Sequence, residues 1–217
     1  DSNIAVGYRA GRINGFNGLY NPRENTYIGV EAGQGTFTSH KNTAIGFKAL
    51  MQRAPNGNST DYVDGGRNVA IGDSALAYGI GISNIAIGVE VLSRSVTNTF
   101  QNVAIGDSSM GAAVGTTGNV AIGYKTLSKQ QGQGYNTAVG YYSQRDSSKS
   151  TYYNTSIGAY SMEYNRTGVY NTGLGLSALR NSDSASYNTA IGADAMYHHR
   201  KNNSNVAVGA FAMRGDS

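Results

Sequence analysis

One short pattern recurs along the whole chain and constrains its fold more than any other feature. Each copy has Asn, a β-branched residue, a small residue (Tyr27 is the one exception), Ile, Val or Leu, and then Gly, as in the NVAIG segment 119–123. From Asn68 onward these Asn residues are 16 to 18 positions apart. Self-similarity at a fixed short period is the signature of a repeat architecture. The repeat Asn residues are Asn3, Asn25, Asn42, Asn68, Asn84, Asn102, Asn119, Asn136, Asn154, Asn171, Asn188 and Asn205.

The residue types within the unit predict a short β-strand. Stiff β-branched side chains pack well on a pleated surface, and successive strand residues point to opposite faces. One face therefore carries branched residues and the other carries only small residues and Gly. A Gly at the end of a strand indicates a bend or the close approach of another backbone. We expect a second short strand after the Gly, with a small residue followed by Leu or Met, as in Thr126–Leu127; Gly11, Gly33 and Gln144 depart from this pattern.

A unit of about 17 residues, with two short strands joined by polar turns, has the size of one coil of a β-solenoid. We predict an all-β fold, a parallel β-roll or β-solenoid of about twelve coils of 16–18 residues, two of them longer. Coils stacked at about 4.8 Å would span on the order of 55 Å. Helical repeats have periods about twice as long, and the Gly and β-branched residues of each unit oppose helix. Residues 1–217 form a single repeat domain, with inserted loops at 11–24 and 51–67.

Both faces of the predicted strand require cover, which indicates self-association. The small face suits a thin coil interior, so the branched face needs another partner. Copies of the same chain arranged around an axis would supply that cover, and oligomerisation commonly stabilises small cores. We predict a homotrimer with the branched face on its axis. The expected interface residues are Val69, Ile71, Ile85, Ile87, Val103, Ile105, Val120, Ile122, Ile157 and Ile191.

The repeats resemble those of known fibres. The segments at 68–74 and 102–108 (NVAIGDS) resemble head repeats of trimeric autotransporter adhesins, and Asn42–Leu50 (NTAIGFKAL) is similar to repeats of bacteriophage tail fibres and related bacterial adhesive fibres. The resemblance implies trimers of left-handed parallel β-rolls that bind host surfaces, located extracellularly, on a cell surface or in a virion fibre. The adhesin head unit is shorter than 17 residues, so the loops here should project further.

Receptor-binding residues are expected where the repeat is interrupted or rich in aromatic residues. Loops on a rigid scaffold often carry function, and aromatic side chains suit sugar or protein contacts. Solvated insertions and a structural tyrosine ladder are the alternatives; for the four Tyr that directly precede an Asn, namely Tyr135, Tyr153, Tyr170 and Tyr187, we favour the ladder. The candidates for receptor binding are Arg12, Phe16, Tyr20, Arg53, Tyr62, Tyr142, Tyr160 and Tyr197.

The sequence offers little for metal binding or catalysis. It has no Cys and three His. Asp61 and Asp64 could bind calcium but lack the spacing of an EF-hand loop, and the segment 198–201 (HHRK) is expected to be a solvated loop tip. A match to the hexapeptide β-helix of acyltransferases occurs only once per unit, which leaves a β-helical enzyme as a remote alternative. We predict no catalytic residue, metal or cofactor.

Composition limits the partners. Charged residues make up 14% of the chain, against roughly 25% in typical soluble domains, and the net charge of +4 is dispersed. This argues against nucleic acid, and without a run of 18 apolar residues we expect no membrane insertion. We expect a non-enzymatic fibre segment, a fragment of a longer fibre, that attaches to a cell-surface glycan, lipopolysaccharide or envelope protein. The alternative is a purely structural shaft whose receptor site lies elsewhere.

Overall fold

The computed structural model describes residues 2–12, 22–36, 39–52, 65–78, 81–94, 99–132, 134–149 and 151–215. Its architecture is an all-β parallel solenoid, and the described residues contain no helix. Twelve three-residue strands form one parallel sheet in chain order. Most of the two inserted loops, 13–21 and 53–64, lies outside the described residues.

The main sheet is built from the predicted strands, one for each repeat. The pairing is in register, so equivalent repeat positions lie side by side, as in Val120 beside Thr137 and Ile122 beside Val139. Its strands are β1 (Ile4–Val6), β2 (Thr26–Ile28), β3 (Thr43–Ile45), β4 (Val69–Ile71), β6 (Ile85–Ile87), β8 (Val103–Ile105), β9 (Val120–Ile122), β10 (Thr137–Val139), β11 (Thr155–Ile157), β12 (Thr172–Leu174), β13 (Thr189–Ile191) and β14 (Val206–Val208). Strands β5 (Gly81–Ile82) and β7 (Thr99–Phe100) form a second, two-stranded parallel sheet.

The small face of each strand points into the coil, as the sequence predicts. The strand alanines, such as Ala70, Ala104, Ala121 and Ala138, are fully buried. They pack with a file of Leu and Met side chains from the turn after the Gly, also fully buried. Each fully buried Leu or Met contributes about 1.5–3 kcal/mol of transfer free energy. The file comprises Leu50, Leu76, Leu92, Met110, Leu127, Met162, Leu179 and Met196.

The predicted second strand is wrong, because the Leu and Met residues lie in a turn. Leu127 has φ 45° and Lys125, two residues earlier, has φ 52°, both in the left-handed region. The same two positions have positive φ in every described coil, so the chain turns sharply twice where a strand was expected. Among the described residues, no non-glycine residue with positive φ is β-branched, which agrees with the steric cost of that region for branched side chains.

The repeat Gly allows the coils to approach at their closest point. Gly123 has φ +129°, and a Cβ there would lie 2.6 Å from the carbonyl oxygen of Gly140 in the next coil. Gly46 and Gly72 stand in the same relation, with a separation of 2.5 Å. Any side chain would collide with backbone, which explains why Gly occupies this position in every repeat.

The repeat Asn residues form a buried ladder. In one step the backbone N–H of Asn136 donates to Oδ1 of Asn119 (3.0 Å), and its side-chain Nδ2 donates to the same oxygen (3.3 Å). That Nδ2 also donates to the carbonyl of Thr151 (2.9 Å). Side-chain hydrogen bonds of the repeat Asn thus link each coil to the next. The residue before the Asn has left-handed backbone geometry, as in Tyr135 with φ 59°.

One coil departs from the pattern in a compensated way. Tyr27 occupies the strand position that is Ala, Ser or Gly elsewhere; its ring is buried, and its hydroxyl lies 2.9 Å from Oγ1 of Thr36. Gly33 and Gly11 take the place of the Leu or Met in the two flanking turns. A Cβ on Gly33 would lie 2.3 Å from the Tyr27 ring, and one on Gly11 would lie 2.9 Å from it. The missing Leu side chains thus provide the volume for the Tyr.

We predict that Asn119→Ala destabilises the protein by about 2–4 kcal/mol, because the buried N–H of Asn136 and its side-chain amide lose their acceptor. Chemical unfolding followed by circular dichroism would measure this. The matched control is Asn205→Ala, at a part-exposed position, for which we expect about 1 kcal/mol or less. Equal costs for the two variants would contradict the ladder as a source of stability.

We predict that Gly33→Leu and Tyr27→Ala compensate each other. Gly33→Leu alone inserts a side chain into the Tyr27 ring and should cost about 1–3 kcal/mol or more. Tyr27→Ala alone leaves a cavity and should cost about 3–5 kcal/mol. The double variant restores the Ala and Leu of other coils, whose Leu residues share a positive φ with Gly33. Additive losses in a double-mutant cycle of unfolding free energies would contradict this account.

Candidate binding surfaces

The most extensive candidate surface is the outer sheet face, defined as the first and third residues of the twelve strands of the main sheet. These side chains are β-branched or Leu and point away from the coil interior. Within the body of the sheet, Ile45, Ile85, Ile122, Ile157 and Leu174 are between 36 and 42% exposed. Parallel sheets are normally covered on both faces. Here the described residues cover the inner face and leave the outer face partly exposed.

The residue after the repeat Gly widens the outer sheet face. At this position Val30, Phe47, Val89, Tyr141 and Leu176 are exposed, by 41–53%, whereas the exposed carboxylates of Asp73 and Asp107 interrupt the apolar column. The rings of Tyr124 and Tyr141 stack at 5.4 Å between centroids. Exposed apolar surface of this kind indicates an interaction site.

All ten predicted interface residues lie on the outer sheet face. Ile85, Ile122, Ile157 and Ile191 are exposed, and the other six are half-buried. The structure therefore brings the predicted set together on one surface. Whether another chain covers that surface stays a prediction.

A stack of four tyrosines lies on a neighbouring edge of the solenoid. The centroids of Tyr135, Tyr153, Tyr170 and Tyr187 are separated by 5.4, 5.0 and 5.1 Å, with rings within 24° of parallel. This confirms the predicted ladder between coils. The four rings are 44–59% exposed. Because each inner ring has neighbours on both faces, the stack presents ring edges and hydroxyls to solvent.

A second aromatic cluster combines tyrosines with arginines around a buried carboxylate. Glu163 is 1% exposed, and its oxygens accept from Arg145 (3.0 Å) and Arg180 (2.7 Å). Arg145 lies over the ring of Tyr142 at 4.7 Å, and Arg180 lies over the ring of Tyr160 at 4.7 Å. These contacts restrict the positions of the arginine and tyrosine side chains. The Tyr–Arg cluster consists of Tyr142, Arg145, Tyr160, Glu163, Arg180 and Tyr197.

The cluster was not anticipated from the sequence, although the repeat contains a signal for it. Arg145, Glu163 and Arg180 each lie nine positions after a repeat Asn, in three successive coils. In-register stacking makes opposite charges at one repeat position neighbours in space. Reading the repeats as aligned columns would have identified the ion pairs.

The predicted receptor-binding residues have different positions. Arg12 is exposed. Phe16, Tyr20, Arg53 and Tyr62 lie outside the described residues, as do Asp61 and Asp64. Tyr142, Tyr160 and Tyr197 are half-buried in the Tyr–Arg cluster, and Arg180 donates to the Tyr197 hydroxyl (3.1 Å). These three tyrosines are less exposed than the four stacked ones, and their role in receptor binding stays a prediction.

The segment 198–201 is only partly the solvated tip that was expected. Arg200 and Lys201 are exposed, but His199 is 8% exposed, and burial lowers its pKa. His198 contacts the Tyr197 ring at 4.5 Å and pairs with the Asn181 amide at 3.2 Å. Among the described residues no group of three or more His, Asp or Glu is placed to hold a metal ion. That part of the chain also contains no helix that is long and apolar enough to span a membrane.

Comparisons with known proteins identify no relative. No protein-family model matches the chain, and no curated protein or solved structure is significantly similar to it. The functional argument therefore depends on the solenoid and its surfaces.

Proposed function

We propose that this chain is a segment of a non-catalytic homotrimeric fibre that attaches to a cell surface. The observation that supports it is the outer sheet face, on which Ile, Val or Leu fills the third position of every strand of the main sheet and Ile, Val or Thr the first, and which the described residues leave partly exposed. A strip of β-branched residues on a rigid sheet suits burial against an equally rigid partner. Its regular repeat matches another copy of the same chain in register, which favours self-association over an unrelated partner.

Three chains fit this strip better than two. The strip runs the length of the sheet but is only two side chains wide on each strand. The residue after the Gly widens it on one side. Three such strips around an axis each face the other two, and the widened flank can reach the neighbouring chain. In this assembly the solenoids are left-handed and number about twelve coils each, as the resemblance and the repeat count imply. The fibre is extracellular, on a cell surface or a virion.

Attachment uses the side surfaces and the loops. The buried Asn, Gly, Ala, Leu and Met positions serve the scaffold, and the residues that vary between coils remain available for contact. The expected partners are a glycan, lipopolysaccharide or an envelope protein. Display on three chains would give avidity for weak sites. A shaft without a receptor site is the second candidate, because every repeated position has a structural role.

We predict a trimer mass of about 68 kDa, three times 22.8 kDa, in light scattering. Ile122→Asp places a charge on the outer sheet face, where an interface would bury it unpaired, and should abolish the trimer. Ser184→Asp adds the same charge at an exposed loop residue outside the sheet and should leave the trimer intact. A folded wild-type monomer would overturn the proposal, and an unchanged trimer in Ile122→Asp would show that another face mediates assembly.

Binding of the wild-type trimer to a glycan array and to whole bacterial envelopes separates the two candidates. We expect saturable binding that is weakened in a monomeric variant, because avidity is lost. A stable trimer that binds no cell-surface material would favour the structural shaft.

A further inference from the structure

A groove of about 560 Å³ crosses four successive coils on a side of the solenoid separate from the outer sheet face. It exists because of a local change in side-chain size. The position nine residues after the Asn carries Arg145, Glu163 and Arg180 in later coils, and it carries Ser93, Gly111 and Ser128 in the coils of the groove. The small residues leave the groove open, and the long side chains of the Tyr–Arg cluster close it at one end.

The lining of the groove is cationic. Arg94, Lys125, Lys129 and Arg145 line it, and Glu90 is the one carboxylate among its described lining residues. Lys129 is paired with Asp146 at 3.2 Å, and Arg145 with Glu163 at 3.0 Å.

The other two cations have no such neutralisation. Within the described ranges neither Arg94 nor Lys125 forms an ion pair with a carboxylate. The Lys125 ammonium lies over the Tyr124 ring at 5.0 Å, which restricts its position. The pKa of Tyr142, at the groove wall, is lowered first by a hydrogen bond from Tyr141 and further by the charges of Lys125 and Arg145. This agrees with a positive potential along the groove.

The cations are spaced along the fibre direction. Arg94 and Lys129 occupy the same repeat position two coils apart, because each lies ten residues after its Asn. At about 4.8 Å for each coil, their backbone positions are separated by roughly 10 Å. Lys125 also lines the groove, from a different repeat position six residues after Asn119. A linear ligand with repeated negative charges would meet these cations in turn.

We propose that this groove binds an acidic saccharide, a short linear segment whose carboxylate or sulfate groups lie against Arg94, Lys125 and Lys129. The Ser128 hydroxyl donates to the Arg145 carbonyl (3.2 Å), so its oxygen can still accept from a ligand hydroxyl, and Gly111 places no side chain in the groove; both suit a hydroxylated ligand. This inference rests on the proposed attachment function and names the ligand class of one surface.

Single-stranded nucleic acid fits the groove less well than a saccharide. Sequence-tolerant binding of single strands uses aromatic faces on which bases stack. The aromatic ring that lines this groove, Tyr142, has Arg145 over it at 4.7 Å and Tyr141 against it at 4.2 Å. Its contacts are already used within the protein, so the groove offers charge and hydroxyls without a stacking platform.

The test measures binding of the full chain to four probes by titration calorimetry. All four are measured at the same salt concentration, and the three charged probes carry the same net charge. The probes are sulfated oligosaccharides, uronic-acid oligosaccharides, neutral oligosaccharides and single-stranded DNA. We expect saturable binding of at least one acidic saccharide class. The two acidic arms identify whether sulfate or carboxylate is preferred. Equal binding of neutral sugars, or tighter binding of DNA, would overturn the proposal.

Charge removal at the groove provides the matched variants. Arg94→Gln with Lys125→Gln should weaken the acidic saccharide about tenfold or more, because hydrogen bonds to charged groups are the strong ones. Lys48→Gln is the control: Lys48 occupies the same repeat position as Lys125 in a coil outside the groove, and we expect no change. Lys125→Gln alone, checked by thermal unfolding, serves if the double variant does not fold. Unchanged affinity in a folded groove variant would overturn the proposal.

The outcomes separate this inference from the proposed function. If a trimer binds cell envelopes but no acidic saccharide, the proposed groove ligand is overturned and the proposed fibre function stands. If a folded monomer binds acidic saccharide in the groove, the trimeric fibre is overturned and the groove ligand stands.

Discussion

The buried asparagine ladder is the constraint on which the rest of the structure depends. Each Oδ1 accepts from the next coil, and most Nδ2 atoms donate to the carbonyl of a neighbouring loop. The ladder therefore fixes both the stacking of coils and the path by which each loop returns. A shift of one residue in any coil would break it, so the register of the sheet and the position of every other repeat residue follow from it.

A fixed cross-section forces compensation inside the coil. Tyr27 is accepted because Gly33 and Gly11 vacate the space of two Leu side chains. Gln144 replaces another Leu, and its Oε1 lies 3.4 Å from the hydroxyl of Ser156, which stands in a strand position that is Ala in most coils. Polar residues thus enter the interior together, although this compensation is incomplete because the buried Nε2 of Gln144 has no hydrogen-bond partner among the described residues. Such pairing is expected where an unsatisfied buried polar group costs about 1–3 kcal/mol.

The sequence was sufficient for the strands, the inward face, the close approach at Gly and the tyrosine stack, because each depends on side-chain alternation and repeat spacing. It was insufficient for the turn after the Gly. A small residue followed by Leu or Met suits a strand and a sharp turn equally well by composition. The difference lies in backbone angles such as φ 45° at Leu127. The useful signal was an absence. Among the described residues, β-branched side chains fill the strands but do not occur at positions with positive φ.

The surface clusters were missed for a different reason. The Glu163 ion pairs and the basic groove join residues about 17 positions apart, and neither forms a motif along the chain. In a solenoid, stacking makes such residues neighbours. Functional clusters are therefore found by aligning the repeats and comparing the residues at one repeat position in successive coils.

This arrangement separates stability from recognition. A change from Arg to Ser nine positions after the Asn alters a surface trough, while the ladder, the alanines and the Leu file of the same coil are untouched. Outward positions can therefore vary coil by coil at little cost to the fold. The outer sheet face does not share that freedom, since it keeps β-branched residues or Leu in every coil. Strand propensity accounts for β-branched residues in general, but it does not account for the third strand position, which is Ile, Val or Leu and never Thr in the main sheet. This apolar column is the strongest argument that the strip is an interface.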